Sequence, residues 1–218
     1  MKIEDLDWLI GQCRNIGVKG LDNGIRALIP DLQIDILTPP CDFVGAHKNP
    51  AIFVNQSTYK YLRQYHDNWI LNGTIALKEE LLHRTSIEII GAIVHETGHA
   101  FNVAARIPNT EANAFIFEIE AMCKLFASES FSSFGCTKTD VSNYFKSRLP
   151  YYKQEVNKNF YLAGLVEMIK ADFNLDDNSK IAKNVKSESP WCVMFVHKQC
   201  KKELQVMTQR FGIGFESL

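Results

Sequence analysis

One long apolar run, residues 87–105, carries polar positions at helical spacing. Ile89, Ile90, Ile93, Val94 and Phe101 cover most of its faces, which predicts a buried helix rather than a solvated one. Thr85 and Glu88 form a capping-box pattern, so the helix is expected to begin just before Ile87. Ile107-Pro108-Asn109 breaks the run, and Asn109 or Thr110 caps a second apolar helix reaching about Phe126. So short a turn predicts antiparallel packing of the two helices. Gly98 weakens the first helix locally, and close approach of another element is the expected reason.

Upstream the periodicity is mixed. Residues 4–29 read as one helix or two, loosened between Gly17 and Gly24, with Leu6, Leu9, Ile10 and Cys13 on one apolar face. Leu32-Gln33-Ile34-Asp35-Ile36-Leu37 alternates as a strand does and ends at Pro39-Pro40; Ala51-Ile52-Phe53-Val54 is a second short strand. Residues 59–65 read as helical, and Trp69-Ile70-Leu71, Asn72-Gly73 and Thr74-Ile75-Ala76-Leu77 as a hairpin with a type I′ turn.

Downstream, residues 128–135 form a polar loop with two exposed aromatics, Phe131 and Phe134, a linker or a lid. Helices are expected at 140–149, stopped by Pro150, then at 152–171, 180–186 and 190–210, the last closed by Gly212. The pattern as a whole predicts one α+β, mostly helical domain over residues 1–218. It comprises a mixed lobe (1–85), a central helix pair (86–126) and a helical C-terminal lobe (127–218).

Composition narrows the partners. A chain of 218 residues can bury a proper core, and a net charge of −1 argues against nucleic acid as the main partner. No run is long enough to span a membrane. The opening Met1-Lys2-Ile3-Glu4-Asp5-Leu6-Asp7 lacks the apolar core of a signal peptide. The six cysteines (Cys13, Cys41, Cys123, Cys136, Cys192 and Cys200) make no CxxC pair, so free thiols and a cytosolic setting are expected.

The chemistry lies in His95-Glu96-Thr97-Gly98-His99, an HExxH string within the apolar helix. At 3.6 residues per turn His95 and His99 stack on one face and can reach one metal ion, while Glu96, on the flank, can act as base toward a water. Gly91 and Ala92, one turn below His95, are expected to leave space for substrate. A catalytic zinc wants a third protein ligand. Counting outward from the break near Pro108 puts Glu118 first, Glu120 second and Glu111, nearer the corner, third. A group stabilising the tetrahedral intermediate is also expected; Tyr144, Tyr151, Tyr152, Tyr161 and His197 qualify by type and are not ranked. His47, His66, His83 and His197 otherwise read as surface or satisfied-core residues, and Lys198, Lys201 and Lys202 as one solvated helix face.

HExxH followed after eighteen residues by Glu118 resembles the spacing of gluzincin metallopeptidases of the aminopeptidase type. Glu111-Ala112-Asn113-Ala114-Phe115 resembles a stretch of the zincins that cleave repressors and of membrane CAAX-type zincins. In those families the ligand Glu stands four residues before the Asn, where this chain has Asn109. The five-residue string in a small chain also resembles bacterial type IV secretion effector metalloproteases acting on host actin.

These resemblances imply a zincin-like fold with a small sheet or hairpin beside the HExxH helix, a Zn2+ ion, Glu96 as catalytic base and an edge, expected at one of the two hairpin strands, that aligns a protein substrate. The effector resemblance implies actin as that substrate and delivery into a host cytosol without a cleaved signal. Two other readings stand beside these. One is a non-catalytic zinc-binding interaction protein, for which Cys123 is the nearby fourth ligand. The other is a regulator cleaving a bacterial repressor, whose usual DNA-binding module is not visible here. No signal addresses the oligomeric state.

Overall fold

The HExxH helix, α3 (Ser86–Ala104), lies in the main core, packed against helices on one side and the sheet on the other. The computed structural model describes residues 1–38 and 49–175. The strand stop at Pro39-Pro40, the helices expected at 180–186 and 190–210, His47, His197, Cys41, Cys192, Cys200 and the Lys198 face lie outside the described residues.

The capping chemistry that predicted α3 is present: Glu88 accepts from the backbone N–H and the hydroxyl of Thr85. Thr110 caps α4 (Glu111–Ala127) through the N–H of Asn113. His95 lies against Glu118 and Gly98 against Ala114, so α3 and α4 are antiparallel as expected. A Cβ at Gly98 would stand 3.0 Å from the Ala114 carbonyl oxygen and 3.2 Å from Phe117 Cβ; close approach is the reason for this glycine. Gly91 has a use beyond the one expected. The Tyr144 ring occupies the place its side chain would take, and Gly91 and Ala92 both border the cleft as expected.

Residues 4–29 yield one helix, α1 (Ile3–Lys19), ended by Gly20 at φ 97°. Its face of Leu6, Leu9, Ile10 and Cys13 is buried in the main core with α3 and α4. The sheet holds β1 (Gln33–Leu37), β2 (Ala51–Phe53) and β3 (Thr74–Lys78) in the order β1-β3-β2. The outer pairs differ in sense: β1 runs parallel to β3 (Ile34 opposite Ile75) and β2 antiparallel (Ile52 opposite Ala76). Strand alternation divides two cores. Ala51, Phe53, Ile75 and Leu77 face α3. Leu37, Ile52, Val54 and Ala76 face Leu62 and Trp69, which follow from α2 (Gln56–Leu62) and the 3-10 turn Arg63–Tyr65.

The expected hairpin at 69–77 does not form. Trp69 sends its indole N–H to Asp35 (2.7 Å), the Ile70 N–H goes to the Thr74 hydroxyl (2.8 Å), and both edges of β3 are taken by β1 and β2. Nor does Pro150 stop a helix: α5 (Lys138–Glu155) continues through it. Pro150 and Lys146, the residue whose carbonyl loses its usual partner, both sit on the exposed face, where solvent can take that oxygen.

Asn159 then caps α6 (Phe160–Phe173). In the segment read as a loop or lid, Phe131 is buried and Phe134 packs edge-on against Trp8, 5.4 Å between ring centroids; neither borders the cleft. The described part is thus α+β and mostly helical with a small mixed sheet. None of its helices is long and apolar enough to cross a membrane.

Candidate metal centre and cleft

His95 and His99 project from α3 into a cleft of about 580 Å³ bounded by β2, α2, the first turn of α4 and α5. The two rings meet edge to face, 5.0 Å between centroids. Their Nε2 atoms turn toward Glu111: His95 Nε2 is 3.3 Å from one carboxylate oxygen and His99 Nε2 is 3.5 Å from the other. His95, His99 and Glu111 are the group among the described residues that could hold an ion.

The remaining nitrogens are engaged from behind. His95 Nδ1 lies 2.8 Å from Glu118 Oε2, and His99 Nδ1 lies 2.7 Å from Asn109 Oδ1. With Nδ1–H donated backward, each Nε2 keeps its lone pair for the cleft.

Glu118 is therefore not where a third ligand would stand. It is fully buried and accepts from Tyr144 Oη (2.8 Å), Tyr152 Oη (2.5 Å) and both Nε and Nη2 of Arg148 (3.1 Å each), besides His95. Burial opposes its charge, but the adjacent Arg148 guanidinium and the His95 hydrogen bond overcome that cost and hold the carboxyl below its ordinary range.

Glu120 is turned elsewhere, toward the Asp22 N–H, Lys124 and the Tyr161 hydroxyl. Glu111, third in the sequence ordering, is the carboxylate that reaches the Nε2 atoms of both histidines, and Asn109 lies against His99 Nδ1. Cys123 is not among the grouped ligand atoms.

The donor set fits a divalent cation. One ligand atom from each of the three residues lies within 4.8 Å of the others, close enough to share one ion, and the two Nε2 atoms approach opposite oxygens of Glu111 at 3.3 and 3.5 Å. The charges agree. Burial works against a proton on His95, yet Glu111, Glu118 and Glu96 together push its pKa up to about 10. Burial is likewise outweighed at His99, chiefly by Glu111, and its pKa is raised. A field that favours a positive charge between these rings favours a metal ion there too.

Glu96 stands apart from this set. It is buried, and its Oε2 accepts the Phe53 N–H at 2.6 Å, which ties it to β2 where it lines the cleft. Burial raises its pKa, against the pull of His95 and His99.

The Phe53 contact also defines the free edge of the sheet. Val54 donates to Thr74 and Pro50 accepts from Lys78, so the peptide groups of Ala51 and Phe53 point away from β3, toward α3 and the cleft. No described strand pairs with this edge.

Sequence reasoning did not single out Arg148. Its guanidinium is held by Glu118 and lies over the rings of Phe115 (5.3 Å) and Tyr151 (5.1 Å). The available signal was Tyr144, Arg148 and Tyr152 at four-residue spacing on one helix stripe. Of the tyrosines proposed as charge stabilisers, Tyr144 and Tyr152 are spent on Glu118 and Tyr161 on Glu120. Tyr151 lines the cleft, is 53% exposed and bonds its hydroxyl to no described residue. Of the lone histidines, His66 is buried in a stack on Trp69, 4.0 Å between ring centroids. Comparison of the chain with protein-family models, with curated proteins and with solved structures finds no match.

Proposed function

We propose that this chain is a zinc-dependent endopeptidase of zincin type that hydrolyses peptide bonds of a protein substrate. The observation that carries this reading is the convergence of His95 Nε2, His99 Nε2 and Glu111 on one side of a cleft, with Glu96 anchored beside them. A zinc ion held by His95, His99 and Glu111 would supply Lewis acidity toward water and a carbonyl oxygen.

The chain's own groups do the rest. Ala51 offers its backbone N–H and C=O to an extended peptide added along β2, which fixes the register of the scissile bond. Glu96 takes a proton from the attacking water and returns it to the leaving amine, and burial, by raising its affinity for that proton, suits it to both steps. Tyr151 is the residue assigned to the oxygen that gains charge. The effector resemblance makes host actin the first substrate to try and a host cytosol the place of action.

The test compares the wild-type chain with Glu96→Ala in eukaryotic cytosolic extract, mapping new N-termini by mass spectrometry. New termini that require Glu96, with both proteins binding one equivalent of zinc, are the expected result; roughly a 10²–10⁴-fold loss of rate fits removal of a general base. Identical termini from both proteins would defeat the reading. Termini in proteins other than actin would keep the peptidase and discard the actin assignment.

A further inference from the structure

Beside the cleft, α2 and the turn after it present a surface the chemistry above does not use. Asn55 and Thr58 border the cleft, and the next residues lead away from it: Lys60, Tyr61, Arg63 and Tyr65 are all exposed. Tyr61 and Tyr65, four residues apart, are 66% and 60% exposed, unusual for large rings with no core to serve. Both cations lie against tyrosines: Lys60 Nζ is 5.8 Å from the Tyr61 ring centroid and the Arg63 guanidinium 5.4 Å from that of Tyr59. No carboxylate of a described residue pairs with either cation, and residues 55–67 carry two cations against one acid, the exposed Asp67, in a chain whose net charge is −1. Tyrosine and arginine, held in place and desolvated easily, are the residue types that dominate binding energy at protein interfaces. A local excess of positive charge selects an acidic partner and speeds its encounter.

We infer that the α2 surface of Lys60, Tyr61, Arg63 and Tyr65 docks an acidic patch on the protein substrate, outside the cleft that cuts it. The inference rests on the peptidase reading for the identity of the partner as a substrate, since the surface continues directly from residues lining the cleft.

The probe is lysozyme, basic as purified and acidic once its lysines are succinylated, and its binding is measured on a biosensor to the full chain carrying Glu96→Gln. Succinylation is expected to strengthen binding about tenfold or more, and Lys60→Glu with Arg63→Glu to remove that gain. Tyr61→Ser with Tyr65→Ser should weaken binding to the succinylated probe by roughly threefold or more. Undiminished binding by the charge variant overturns the proposal, because the attraction then lies elsewhere on the chain. Undiminished binding by the tyrosine variant also overturns it, since only diffuse charge would remain. In the wild-type background both double variants should cleave a short-peptide library within about twofold of the parent; a loss there matching the loss of binding would mean that α2 only shapes the cleft. Because binding is read without turnover, a chain that binds as expected but shows no Glu96-dependent cleavage keeps the surface and loses the peptidase.

Discussion

Glu111 and Glu118 stand seven residues apart on one stripe of α4 and approach opposite nitrogens of the same imidazole, yet they live in different worlds. Glu118 is fully buried, and every lone-pair direction is spent on His95, Tyr144, Tyr152 and Arg148. Glu111 sits in the first turn, its side chain 58% exposed, with the two Nε2 atoms as its partners. A carboxylate saturated by fixed donors orients; one with lone pairs left over and room to adjust coordinates. Helix stripe and charge, which the two share, do not separate these roles. Solvent and the neighbouring helix do.

Removing each carboxylate should therefore damage different properties. The largest effect on the fold is expected from Glu118→Ala, which strands a largely buried Arg148 and two buried hydroxyls. Breaking one side of such a pair costs about 3–5 kcal/mol, read as a lower urea midpoint without zinc. If Glu118→Ala unfolded at the parent's midpoint, the hub would be incidental to the fold.

Glu111→Ala should cost much less zinc-free stability than Glu118→Ala, because the Glu111 carboxylate is 58% exposed and solvent screens its pairing with the two rings. What it should lose is the response to metal. At a hundredfold excess of zinc over its dissociation constant the parent gains about 2.7 kcal/mol, and the variant should gain nothing at that concentration. A full gain by Glu111→Ala would return the ligand search to α4's other acids.

The contrast between the two carboxylates also marks where sequence reading stops. Local signals were sufficient for the helix pair. Thr85 and Glu88 fix the start of α3, Thr110 fixes that of α4, and the glycine at 98 announces the contact with Ala114. The i, i+4 histidines converge as their spacing demands. Counting residues from the corner even put Glu118 level with His95, and it is.

Level does not say which imidazole nitrogen is addressed. The decision is made on α5, some thirty residues later, where Tyr144, Arg148 and Tyr152 neutralise a buried Glu118 and leave the cleft side to Glu111. Spacing within one helix carries no record of a charge partner on another. The strands at 33–37, 51–53 and 74–78 form where expected, but the hairpin failed for a related reason. Asn72-Gly73 offered a local hairpin, and the parallel pairing of β3 with β1 outcompeted it, a contact separated by about forty residues of chain.

Glu118→Gln sharpens the comparison without opening a cavity. It keeps the shape and one acceptor but gives up the charge that Arg148 and the His95 N–H require. Zinc affinity is expected to fall about 10–100-fold, the usual cost of a lost orienting partner, by competition with a chromogenic chelator. A merely structural role would lower stability and leave that affinity untouched.

The smallest effect belongs to Asn109, which does for His99 what Glu118 does for His95, with a neutral amide in place of a charge and with solvent at hand. Its Oδ1 is 2.7 Å from His99 Nδ1 on an exposed stretch, so water can replace it at little cost. Asn109→Ala should weaken zinc binding by less than about tenfold, and less than Glu118→Gln does. Asn109→Asp places a carboxylate at the same distance and makes the two histidines alike in their support. It should tighten zinc binding severalfold over the parent, because a charged acceptor raises the basicity of Nε2 more than an amide can. Weaker binding by the Asp variant than by the Ala variant would mean that the contact seen at His99 does not orient it.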